Sequence, residues 1–252
     1  MSTKKEIVLV IQREDYNEYA VKTEHISLSG TKRELLVMNE GEYRFIEPLG
    51  FKRPECESNY DIIQMIPYIV LYATDDNTGE NVFLTYKRGK KGAEGKLHEK
   101  YSVGVGGHID ITKEVDLRNK SDRYILGYHN SVRDIIVSEL IKEVMEEVGV
   151  DLLKYYSKES LFDTLDKLKP FHLDEGPDSV NSYHFALPIL VDANKFKHEL
   201  KMNEPGIIEN LSFKTIDELK ELADEGALEA WTDIVLKNFI PKVVTVEYYK
   251  ID

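Results

Sequence analysis

Between Val132 and Val148 the chain repeats apolar residues at helical spacing and sets four glutamates on the same helix. On a wheel advancing about 100° per residue, Val132, Ile136, Val137, Leu140, Ile141, Val144 and Val148 form one broad apolar stripe. Glu139, Glu143, Glu146 and Glu147 fall in an arc of roughly 100° beside it, and Glu147 falls inside the stripe, between Ile136 and Leu140. Three costs coincide here. Glu139/Glu143 and Glu143/Glu147 are like charges at i,i+4, each costing about 0.2–0.5 kcal/mol. Glu146 and Glu147 stand at the carboxyl end, where the helix dipole disfavours anions. A carboxylate on a buried face adds a desolvation cost unless a counter-charge meets it. Lys142 is the only basic residue between Arg133 and Gly149, and its wheel angle points away from the cluster. A divalent cation is the simplest compensation, because hard cations take several carboxylate oxygens. The competing reading is a solvated acidic face.

Composition narrows the setting. A chain of 252 residues suits one large domain, or one domain with a small extension. With 33 Lys+Arg against 46 Asp+Glu the net charge is -13, which repels a phosphate polymer, so nucleic acid is not an expected partner. Cys56 is the single cysteine and excludes a disulfide framework. No apolar run approaches the ~20 residues needed to span a bilayer, and Met1 to Glu6 has no apolar core like that of a signal peptide. A reducing, cytoplasmic setting without a membrane is expected.

Strand and helix signals alternate irregularly. Ile7 to Ile11 reads as a strand, and Leu35 to Met38 with Tyr43 to Ile46 flank a turn-like Asn39-Glu40-Gly41, suggesting a hairpin. Ile66 to Ala73 and Val82 to Tyr86, joined through Asp75 to Gly79, predict a second hairpin. Tyr101 to Asp110 predicts a strand that ends in Gly106-Gly107, and Ser182 to Val191 another. Ser131 and Asp134 have capping-box spacing ahead of the acidic helix, which should stop at Gly149. Thr215 and Glu218 open a helix that breaks at Gly226, and a last helix runs from about Ala227 to Phe239. The pattern argues for an α+β, mixed-sheet sandwich. Its expected divisions are a β-rich amino-terminal extension over 1–62, a main domain over 63–245 with an inserted loop at 111–130, and a tail at 246–252.

Lys142 to Val150 reads KEVMEEVGV, and Glu143, Val144, Glu146, Glu147, Gly149 and Val150 match the core of the Nudix box. Together with Gly106-Gly107 at the end of a strand, this segment resembles the Nudix hydrolase family. Lys142 stands where the family has Arg, Asp134 where it has its first box Glu, and 26 residues rather than five separate Gly107 from Asp134. The resemblance implies an α/β/α sandwich that hydrolyses a diphosphate bond in a nucleoside diphosphate-linked small molecule with Mg²⁺ or Mn²⁺. It implies Glu143, Glu146 and Glu147 as metal ligands, one of them or a remote acid as general base, and the Gly107 or Gly106 carbonyl as a further ligand. Glu139 falls behind them, Asp134 positions Lys142 or a metal-bound water, and Glu204 or Glu209 supplies the remote acid. A homodimer accords with it. A catalytically weak nucleotide-sensing module is the second reading. An isopentenyl diphosphate isomerase would need a cysteine at the site, and Cys56 lies away from every matched motif.

Three further signals stand on their own chemistry. Lys87, Arg88, Lys90 and Lys91 are the one dense basic run, with Lys87 and Arg88 as candidate phosphate contacts against the alternative of a solvated hairpin tip. His108 is a candidate to contact phosphate or move a proton; an ordinary loop histidine is the competing reading. Trp231 is expected in the core rather than against a nucleobase.

Overall fold

A computed structural model describes residues 6–27, 30, 32–91, 97–113, 123–125 (backbone), 132–165 and 167–240. Twelve strands among them belong to one sheet: β1 (Ile7–Gln12), β2 (Val21–Ile26), β3 (Lys32–Val37), β4 (Leu49–Lys52), β5 (Ile62–Thr74), β6 (Asn81–Arg88), β7 (Tyr101–Ser102), β8 (Gly104–Val105), β9 (Arg123–Ile125), β10 (Phe171–His172), β11 (His184–Asp192) and β12 (Ile208–Thr215). Six helices accompany them: α1 (Arg13–Tyr19), α2 (Arg53–Cys56), α3 (Val132–Val148), α4 (Lys158–Leu165), α5 (Ile216–Asp224) and α6 (Ala230–Asn238).

The 13-residue β5 is the spine. Its run of β-branched and aromatic residues suits a strand buried on both faces. Along one edge it pairs in parallel with β11, from Gln64↔His184 to Tyr72↔Asp192. Its other edge serves three antiparallel partners in succession: β1 at 62–64, β8 at 69–70 and β6 at 72–74. Among the described residues, none pairs with 65–68 on that edge, and Pro67 has no N–H to offer. The glycine pair enters the sheet at this gap.

Alternate side chains of β5 feed two cores. Ile63, Met65, Ile69 and Leu71 pack with the apolar stripe of α3, with Leu161 and Leu165 of α4, and with Ile7, Leu9 and Ile11 of β1. Tyr68, Val70 and Tyr72 pack with Leu219 of α5 and with Ile234, Val235 and Leu236 of α6. The result is the expected α/β/α sandwich around a mixed sheet. Residues 7–52 contribute β1 to β4 to this same sheet.

Several local expectations change. The hairpin expected at 35–46 does not form: β3 pairs with β2 and β10, and Glu42–Phe45 coils into one 3₁₀ turn. Glu42 fixes that turn by accepting from the Asn39 backbone N–H and side-chain amide, both at 3.0 Å, while Gly41 takes a φ of 73°. The strand expected at 101–110 breaks at Val103, because β7 pairs with β6 whereas β8 pairs with β5. Val180–Tyr183, ahead of β11, is a 3₁₀ turn, and α4 carried no signal strong enough to be expected. Thr215 and Glu218 do form a capping box on α5. Ser131, the tail at 246–252 and most of the 111–130 loop lie outside the described residues.

Candidate functional site

On α3 the apolar stripe is buried as expected, and Glu139, Glu143 and Glu147 are buried with it, at 6%, 9% and 9% exposure. Burying Ile136, Val137, Leu140, Val144 and Val148 stabilises by about 1.5–3 kcal/mol each, which outweighs the repulsion between the carboxylates. The carboxyl end of α3 is closed by another segment. Lys201 and Asn203 donate backbone N–H groups to the Val148 and Glu147 carbonyls, and the Asn203 amide donates to that of Met145. Glu146 points outward, with half of its side chain exposed.

Lys142 behaves differently from its wheel position. Its Nζ reaches 2.7 Å from Glu139 Oε1, 3.5 Å from Glu143 Oε1 and 3.9 Å from Glu146 Oε2. A four-carbon stem lets a residue on the exposed side lay its charge over neighbours at i−3, i+1 and i+4. Burial opposes the ammonium charge, but Glu139 and the neighbouring carboxylates outweigh it and hold its pKa above the usual lysine range. Lys142 compensates one end of the row only. Burial raises Glu143, helped by its hydrogen bond with Glu139, and burial pushes Glu147 up to about 8 against the opposing charge of Arg88.

The glycines pack against this row. A Cβ on Gly107 would stand 2.8 Å from the Glu143 carboxyl atoms, and one on Gly106 would stand 2.0 Å from the Pro67 carbonyl oxygen. The Gly106 amide donates to the Glu147 carboxylate. Glu147 Oε2, also buried, has no hydrogen-bond partner.

From the glycine pair a cavity of about 150 Å³ opens, walled by Tyr68, Arg88, His108, His184, Glu229 and Trp231. Glu229 accepts from Tyr68 Oη (2.7 Å), Ser102 Oγ (2.6 Å) and Arg88 Nε (2.8 Å), so one buried carboxylate ties β5, β7 and β6 together. Lys87 does not share this cavity. Successive strand residues face opposite sides, and Lys87 pairs with Glu99 instead, as Lys90 does at 3.7 Å. Glu209 sits across from Lys87 on β12. Of the two expected remote acids, Glu204 is the one whose charge acts on Glu147. Asp134 is exposed and lines a separate groove with Asp110, Lys113, Glu139 and Lys142. Cys56, the last residue of α2, packs in a small core with Val8, Val10, Leu49 and Ile62, away from the cavity.

No family model matches the chain. Protein YmaB of Bacillus subtilis (strain 168) is 32% identical over 111 residues, 42% of this chain and 47% of the relative, so the match spans about half of that protein's length. The crystal structure of Tm1382, a candidate Nudix hydrolase, superposes over 97% of this chain and 100% of its own, with a TM-score of 0.57 at 20% identity. The chain has the Nudix fold. A Nudix hydrolase of Alicyclobacillus acidocaldarius aligns more loosely, with a TM-score of 0.44 at 14% identity over 69% of this chain and 90% of that one.

Within the Nudix fold the donor set can be tested against a divalent cation. Among the described residues, no three His, Cys, Asp or Glu side chains stand gathered as a finished metal cage. Mg²⁺ does not need one, since it is commonly held by one or two carboxylates and keeps several waters. Glu143 and the unpartnered Glu147 Oε2, beside the glycine pair, fit such a cation. No helix among the described residues is long and apolar enough to cross a membrane.

Sequence reasoning missed Tyr68, Asn181, His184 and Glu229, which line the cavity. Each is a single polar residue in or beside an apolar strand or helix, and no spacing rule marks it. Trp231 was expected in the core. It packs on Tyr68 and Phe171 at centroid distances of 5.6 and 5.8 Å and also lines the cavity, with its Nε1 buried and unpartnered.

Proposed function

We propose that this chain hydrolyses a phosphoanhydride bond in a nucleoside diphosphate-linked small molecule, with Mg²⁺ or Mn²⁺ as cofactor. The observation that carries this reading is the buried, under-compensated row Glu139–Glu143–Glu147, set against Gly106-Gly107 at the mouth of the cavity. Glu143 and Glu147 would hold the cation, with Glu146 on the solvent side and the Gly107 carbonyl completing the set. A bound divalent ion neutralises phosphate charge and activates a water. Lys142 keeps Glu139 and Glu143 in place. Arg88 and His108 face the diphosphate from the cavity wall, and Trp231 offers an apolar ring face to the base. The raised carboxylates of Glu143 and Glu147 make either a proton acceptor, with Glu204 as the more distant alternative. A reducing, cytoplasmic setting accords with the buried thiol of Cys56, whose pKa burial pushes up to about 12.

The test is product release by the purified chain with Mg²⁺ or Mn²⁺ from ADP-ribose, dinucleoside polyphosphates, NADH and nucleoside triphosphates. Turnover should fall by about 10²-fold or more in Glu146→Gln and in Glu147→Gln. No turnover on any of them, with metal-dependent thermal stabilisation by one, would replace the hydrolase with a nucleotide-sensing module.

A further inference from the structure

His108 and His184 face each other in the cavity wall with their Nε2 atoms 3.2 Å apart. The opposite nitrogen of His184, Nδ1, lies 3.0 Å from the Val180 carbonyl oxygen. A carbonyl only accepts, so Nδ1 carries a proton and Nε2 of the neutral ring presents a lone pair. Two donors then converge on that one lone pair: the His108 ring at 3.2 Å and the Gln64 side-chain amide at 3.1 Å. The other end of that amide, Gln64 Oε1, is buried without a hydrogen-bond partner. Turning the amide over would bring its oxygen onto the same lone pair, which is repulsive. As placed, the two donors share one lone pair and Gln64 Oε1 stays buried without a partner; with His108 protonated on Nδ1 instead and the amide turned over, three electron pairs would face one small region.

We propose that His108 Nε2, His184 Nε2 and the Gln64 side-chain oxygen form a second cation site, for a divalent transition metal of the zinc class. Two nitrogens 3.2 Å apart, each about 2.0–2.1 Å from a shared ion, subtend about 100° at it, between octahedral and tetrahedral values. The contact from His184 Nδ1 to a backbone carbonyl is the outer-shell bond that orients a ligating imidazole. With the amide turned over, the orphaned oxygen becomes a ligand. Three protein donors leave a position open to water or to a ligand in the cavity. The site differs in chemistry from the row on α3: imidazole nitrogen suits zinc, cobalt or nickel, whereas carboxylate oxygen suits magnesium. Nearby cations do not forbid an ion here, since Arg88 is matched by Glu229 (2.8 Å) and Arg53 by Glu6 (3.1 Å) and Glu57 (3.5 Å).

The experiment uses the full chain stripped with a chelator and then held in excess Mg²⁺, which occupies the carboxylates. Zn²⁺ is titrated calorimetrically, and Co²⁺ is added for its visible bands. One equivalent should bind. His108→Gln and His184→Gln should each weaken binding by about 100-fold or more, Gln64→Glu should tighten it, and Glu147→Gln should leave it unchanged. X-ray absorption on the Zn²⁺-loaded wild type should count two imidazole nitrogens, a readout that needs no variant to fold. Failure to bind Zn²⁺ above the Mg²⁺ background, loss of binding in Glu147→Gln, full binding in both histidine variants, or a shell of oxygen ligands alone would each overturn the proposal. None of these outcomes depends on whether the chain hydrolyses a diphosphate.

Discussion

At the scale of single residues, Gly106 and Gly107 do different jobs although they are neighbours. The space a Cβ would need at Gly106 is taken by a backbone oxygen, that of Pro67, whereas at Gly107 it is taken by a carboxylate that can swing, that of Glu143. Gly106→Ala should therefore cost stability, about 1–3 kcal/mol as for overpacking elsewhere. Gly107→Ala should melt close to wild type but lose about 10²-fold in turnover, because a displacement of about 1 Å in a reacting geometry has that effect. Thermal unfolding and initial rates on both variants decide the matter; equal melting temperatures would refute the distinction. The glycine pair was legible in the sequence as the end of a strand. The reason for each glycine was not, because Pro67 and Glu143 are distant in sequence from the pair they touch.

At the scale of the element, α3 combines a stabilising apolar stripe with carboxylates that resist burial. Burial pushes the Glu147 carboxyl up to about 8 in the folded chain, against about 4.3 when unfolded. The folded state thus binds this proton more tightly. The resulting stabilisation is complete below pH about 4.3 and is lost as pH rises through about 8. In chelator the wild type should lose stability between pH 5 and 8, on the order of a few kcal/mol, and Glu147→Gln should reduce that slope, the remainder coming from Glu143, which burial raises likewise. Mg²⁺ binds the ionised form and should reverse the loss. Melting curves at several pH values, with and without Mg²⁺, measure this directly; an unchanged slope in Glu147→Gln would rule Glu147 out as its source. The intrusion of Glu147 into the apolar stripe was readable from helical periodicity. The reach of Lys142 over Glu139 and Glu143 was not, since a wheel records where a side chain starts and not where its charge ends.

At the scale of the whole molecule, the first 62 residues are tied into the rest at several points. β1 lies between β4 and β5, and just beyond the glycine pair Leu9 N–H donates to the Ile109 carbonyl and Ile111 N–H to that of Ile7. Arg13 is buried and donates to His172 (2.8 Å), to Asp174 (2.9 Å) and to the backbone carbonyls of Tyr60 and Ser182 (both 2.5 Å), bracing the turn that carries Asn181 and leads into His184. His25 on β2 meets Asp233 of α6 at 2.7 Å. A piece spanning 63–245 should therefore lack a cooperative thermal transition, because it loses strand partners for β5 and leaves Asp174 and Asp233 without these partners. A dispersed amide spectrum and a sharp melt from that piece would establish the opposite, an independently folding domain.

The amino-acid order by itself determined the elements whose signals are local: the apolar stripe of α3 with Glu147 inside it, the β5–β6 hairpin, and the capping box at Thr215. Those depend on neighbours within about four residues, where periodicity and turn chemistry act. Tertiary structure alone decided that Lys87 and Arg88 part company, that Glu229 ties Tyr68 to Arg88, and that Gln64, His108 and His184 converge. Contacts between residues so far apart in sequence follow from which strands pair with β5 and in what register, and no local pattern encodes that choice.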